Sequence, residues 1–107
     1  MRAWMLSLSL ILTVAIMGPA GGLVATTSIL GDVVQQVAGE GWEVYVLFPP
    51  EADPHAFHPT PREAARLAGA EAVFICGAGL EEALEPFLAQ AREVVDVSQG
   101  IALRAFP

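Results

Sequence analysis

Apolar positions along this chain follow two alternating rhythms. Short runs rich in β-branched and aliphatic residues recur: "LVATT" from Leu23 to Thr27, "EVYVLF" from Glu43 to Phe48, "AVFIC" from Ala72 to Cys76 and "EVVDVS" from Glu93 to Ser98. Runs of this length, bounded by turn residues, predict buried strands. Between them the apolar spacing changes to three and four. Ile29, Val33 and Val37 form one stripe of a helix, with Leu30, Val34 and Ala38 beside it. Asp32 is expected in the first turn of that helix, where a negative charge suits the dipole, and Gly39 or Gly41 ends it. Thr60, Pro61 and Glu63 spell an N-cap, a first-turn proline and the acid of a capping box, opening a short helix that stops near Gly69. In "LEEALEPFLAQA", Leu80, Ala83, Leu84, Phe87, Leu88 and Ala91 share a face. Pro86 either kinks that helix or restarts it in a new first turn.

The order is therefore βαβαβαβ, which predicts an α/β fold: a parallel sheet with helices on both faces. At 107 residues the chain is one domain or part of one. The N-terminus carries one arginine, an apolar run from Ala3 to Met17 and then small residues. This pattern predicts a signal peptide over residues 1–22, with cleavage after Ala20 or Gly22. The run is shorter than the ~20 residues that a spanning helix needs.

Composition removes several classes of function. All five cations are arginines, scattered along a chain of net charge −7. No basic patch could follow a phosphate backbone, so nucleic acid is excluded as a partner. The single cysteine, Cys76, cannot form an internal disulfide and is expected as a small buried hydrophobe. G-x-S-x-G and P-loop patterns are absent, which argues against an enzyme.

The candidate chemistry sits in "PPEADPHAFHPTP", residues 49 to 61, which holds both histidines and five of the eight prolines. Each proline restricts the residue before it, so the segment is expected to be extended and stiff. It follows the second strand and so lies at the carboxyl end of the sheet, where open α/β sheets bind ligands. A histidine held there loses little freedom on taking a ligand. An imidazole nitrogen suits zinc or a similar ion, with Glu51, Asp53 and His58 close enough in sequence for supporting hydrogen bonds. Acid–base work or a plain rigid loop would use the same residues.

"DPHAFHPTP", with "GAGLE" at Gly77 to Glu81, resembles the zinc- and manganese-binding solute-binding proteins of ABC importers. The likeness covers about Val24 to Val97. It implies one lobe of a two-lobe protein, with residues 23–107 as the N-terminal lobe and a divalent ion, zinc or manganese, held in the cleft between lobes. His55 matches the first family ligand, and His58 stands where the family commonly has Glu. The other ligands come from beyond this stretch and from a C-terminal lobe. The implied partner is an ABC transporter permease, with contact to the membrane only through it, and the implied location is periplasmic or extracellular. Two further departures are Cys76, where Asn usually precedes the glycine, and Glu51, where glycine is common.

Overall fold

The computed structural model describes residues 22–105. The signal-peptide reading falls almost wholly on residues 1–21, outside the described part. The elements are β1 (Leu23–Ala25), α1 (Ser28–Ala38), β2 (Val44–Val46), α2 (Pro61–Gly69), β3 (Ala72–Ile75), a 3-10 turn (Glu82–Leu84), α3 (Glu85–Leu88) and β4 (Val94–Asp96). All strand pairs are parallel, in the order β2-β1-β3-β4. The alternation of strand and helix expected from the apolar spacing is present.

Successive strand residues point to opposite faces, and two cores result. On one face Val24 and Val73 meet Leu67 of α2 and Leu84 of the 3-10 turn, with Leu47 and Phe48. Phe87 and Leu88 of α3 pack against this cluster. On the other face Leu23 and Ala25 meet Leu30 and Val34 of α1. Each fully buried leucine of the first cluster contributes roughly 1.5–3 kcal/mol. Gly31 lets α1 lie close to the sheet, because a Cβ there would strike the Val46 side chain.

Helix ends refine the sequence reading. Thr27 caps α1: its backbone is extended and its Oγ1 accepts from the Leu30 N–H at 3.2 Å. The helix thus begins at Ser28, and Asp32 falls in the second turn instead of the first, which contains no acid. Gly39 ends α1 at φ 86°, its N–H donating to the Gln35 carbonyl at 3.0 Å. The Thr60–Glu63 capping box is fully formed. The predicted long helix around Pro86 is two short pieces, because Pro86 opens a new first turn in α3. The strands are three or four residues long, shorter than the apolar runs that announced them.

Candidate metal site

Pairing with β1 runs past the end of β2: Leu47 and Phe48 donate to the Ala25 and Thr26 carbonyls, each at 2.9 Å. The chain then leaves the carboxyl rim of the sheet. The expected extended segment is instead two turns in succession. The Ala52 N–H donates to the Pro49 carbonyl at 3.0 Å, and the Ala56 N–H to the Asp53 carbonyl at 3.1 Å. Pro50 and Pro54 hold the second position of these turns, where a fixed φ near −65° is the required value. Asp53 adds a side-chain bond, its Oδ1 accepting from the His55 N–H at 2.9 Å.

The loop is anchored further along. The rings of Phe57 and Phe48 meet edge to face, 5.0 Å apart at 67°. Phe57 packs against the core, while His55 and His58 on either side of it are exposed. Thr60 then closes the loop, its Oγ1 accepting from the Glu63 N–H while the Glu63 carboxylate accepts from the Thr60 N–H. The result is a braced loop that presents imidazoles to solvent from a fixed base. Among the described residues no group of three or more His, Cys, Asp or Glu side chains converges on one point. His55 and His58 thus stand exposed, without three such side chains gathered around either of them.

Beneath the same rim lies a charge that the apolar pattern did not reveal. Glu81 is only 4% exposed. Its carboxylate accepts from Thr26 Oγ1 at 3.1 Å, from the Cys76 N–H at 2.6 Å and from the Gly77 N–H at 3.0 Å. A buried carboxylate is costly unless its lone pairs are filled. Here three donors fill them, and the bonds tie the carboxyl end of β1 to that of β3. Thr26, itself fully buried, passes the bracing on, since its carbonyl holds the Phe48 N–H.

Cys76 is half-buried and lies 3.5 Å from Thr27 Oγ1, so it has a polar neighbour as well as an apolar one. Gly77, Ala78 and Gly79 all take positive φ, at 78°, 55° and 85°. This turn delivers Glu81 back under the sheet end. At Gly77 a side chain is also sterically excluded, because a Cβ would strike the Asp96 carboxylate and the Ser98 hydroxyl.

This geometry can be set beside known proteins. Residues 23–106 match the family described as zinc-uptake complex component A, periplasmic. The chain belongs to that family. It is 32% identical over 85 residues to the manganese-binding lipoprotein MntA of Halalkalibacterium halodurans, covering 79% of this chain and 28% of that protein. It is 34% identical over 59 residues to the manganese ABC transporter substrate-binding lipoprotein PsaA of Streptococcus pneumoniae, covering 55% of this chain and 19% of the other. A crystal structure of ZnuA superposes with a TM-score of 0.71 at 28% identity, over 78% of this chain and 34% of that one. The chain thus spans about a third or less of the length of these relatives. Zinc-uptake components of this family are binding proteins of transporters and not enzymes.

Proposed function

We propose that this chain supplies one half of an extracytoplasmic metal-capture cleft. His55 contributes a nitrogen ligand to zinc or manganese, and the bound ion is handed to the permease of an ABC importer. The observation that carries this reading is the exposed His55, held at the carboxyl rim by the Asp53 turn and the Phe57 anchor within the family's matching stretch. A ligand fixed in advance gives up little entropy on binding, so its nitrogen counts nearly in full toward affinity. His58 plays a lesser part, shaping the potential and hydrogen bonding around the ion. In this reading residues 23–107 are the N-terminal lobe, residues 1–22 direct export, and a C-terminal lobe brings the remaining ligands.

The test uses a completed protein: residues 23–105 of this chain in place of the matching stretch of the H. halodurans lipoprotein. His55→Ala should weaken manganese or zinc binding by at least about ten-fold in calorimetry, and His58→Ala by less. Unchanged affinity in His55→Ala would remove His55 from the ligand set. Because imidazole binds metal only as the neutral base, acid should also weaken binding, and that loss should shrink in His55→Ala.

A further inference from the structure

Glu81 is an anion in the interior with no cation beside it. Among the described residues the one ion pair joins Arg92 to Glu71, at 3.5 Å on the surface. Glu81 is buried, and so is Thr26, which donates to it. The Glu81 Oε1 accepts from both Thr26 Oγ1 and the Cys76 N–H, while Oε2 accepts from the Gly77 N–H. A carboxylate accepts at both oxygens, whereas an amide would turn an N–H toward one of these donors. Hydrogen bonds to a charged acceptor are also about twice as strong as neutral ones. The parallel ladder already holds β1 beside β3 without any charge. What Glu81 adds is stiffness beyond the last rung, at the rim from which the histidine loop departs.

A short chain of contacts passes that stiffness to the loop. Thr26 follows the last residue of β1 and is held on three sides. Its N–H donates to the Phe74 carbonyl at 3.1 Å, its carbonyl accepts from the Phe48 N–H at 2.9 Å, and its hydroxyl donates to Glu81 at 3.1 Å. Phe48 is the last residue before the two turns. Its ring meets that of Phe57, 5.0 Å away, so the pair closes residues 49–56 into a loop with one buckle. Phe48 belongs to the core and Phe57 packs against it, beside Leu84. Leu84 comes from the 3-10 turn that begins directly after Glu81. Inside the loop, Asp53 Oδ1 holds the His55 N–H at 2.9 Å. The path from buried carboxylate to exposed imidazole thus runs through Thr26, Phe48 and Phe57 to His55.

We infer that Glu81 is a positioning residue for the metal ligand His55: through Thr26 and the Phe48–Phe57 contact it holds the loop in the form that binds. The inference rests on the reading of His55 as a ligand. A ligand binds only in its competent conformation, so apparent affinity falls with the fraction of chains that hold it. Loosening Thr26 frees the Phe48 side of the buckle, spreads the imidazole over more positions and lowers that fraction. A Glu81 that served stability alone would behave differently. Its loss would be felt by both cores and would be mimicked by an equal injury to the opposite one. Positioning acts through one ligand, so its effect vanishes once that ligand is removed.

The probe is manganese alone, in calorimetry on the completed protein described above. Thr26→Val keeps the side-chain shape and removes the hydroxyl. Glu81→Gln keeps the size and exchanges one acceptor for a donor. Each should raise the Kd for manganese about five-fold, the effect of roughly one net hydrogen bond. Thr26→Ser restores the hydroxyl and should return the Kd to within about two-fold of the parent. In a His55→Ala background neither substitution should weaken binding further. Val34→Ala, which injures the opposite core, should lower the thermal midpoint and leave the Kd unchanged. Hydrogen exchange in the metal-free 107-residue chain supplies a second measurement. There Thr26→Val should speed exchange at Phe48, His55 and Ala56 more than at Val73, whose N–H bonds to the Glu93 carbonyl on the far side of the sheet. Parent-like affinity in Thr26→Val and Glu81→Gln, with His55→Ala weakened, would overturn the inference and leave His55 a ligand. A full effect in the His55→Ala background would also overturn it, and so would an equal loss of affinity in Val34→Ala. Unchanged affinity in His55→Ala would remove the ligand reading and this inference together. Where the completed protein or a variant of it fails to fold, exchange in the chain decides, and a uniform rise at all four amides counts against positioning.

Discussion

Ala78 is the one described residue other than glycine with positive φ, and it stands between two glycines that share the conformation. A side chain in the left-handed region costs roughly 1 kcal/mol, which glycine avoids. Ala78→Gly should therefore stabilise the fold by up to about 1 kcal/mol in urea unfolding, less the extra freedom that glycine gains in the unfolded chain. Gly77→Ala should do the opposite and by more, since it adds a collision with Asp96 to the same backbone strain. The "GAG" turn was legible in the sequence, because glycine marks turns. The role of Glu81 was not. It lies in a stretch that resembles a family motif, yet nothing local shows that its carboxylate is buried. Its donors include Thr26, 55 residues away, and a partner that distant leaves no periodic signal.

At the level of elements, the sequence was most readable where the chemistry is local. The Thr60 cap, the first-turn Pro61 and the Glu63 acid sit within four positions, and each acts on its immediate neighbours. Thr60→Ala should cost about 1 kcal/mol in thermal or denaturant unfolding. It should also loosen the loop before it, which hydrogen exchange at Ala56 and Phe57 would detect as faster exchange than in the parent. The proline loop was legible in position but not in shape. Counting prolines predicts stiffness. It does not separate an extended strand from two turns, because Pro50 and Pro54 have the same φ in either. The Asp53 side-chain bond and the backbone bonds from Ala52 and Ala56 settle the choice for turns. Likewise the start of α1 is set by Thr27, whose extended backbone and side-chain bond cap the helix.

For the molecule as a whole, the fold class and the helices on both faces followed from the alternation of spacings, while the share of helices on each face did not. A parallel sheet implies helices on both faces, yet one face here has a single helix among the described residues. Periodicity along α1 showed the width of its apolar arc but could not tell that Leu30 and Val34 are buried while Ile29 and Val37 are exposed. The same incompleteness governs affinity. A zinc site of high affinity uses about four protein ligands, and the proposed role of His55 would supply one. The 107-residue chain alone should bind zinc with a Kd weaker than about 10 μM in calorimetry. Submicromolar binding by the monomer would mean that the described residues hold a complete site after all.

The strand order also governs when the fold can form. β1 precedes the other described strands in the chain, yet it stands in the interior of the sheet, between β2 and β3. Its rungs are only three residues long, and a two-strand pairing of that length does not persist alone in water. Stable pairing on both sides must wait until Phe74 is available, some fifty residues after β1. A chain made N-terminus first consequently gains this sheet late and nearly all at once, after most of the described residues have been joined.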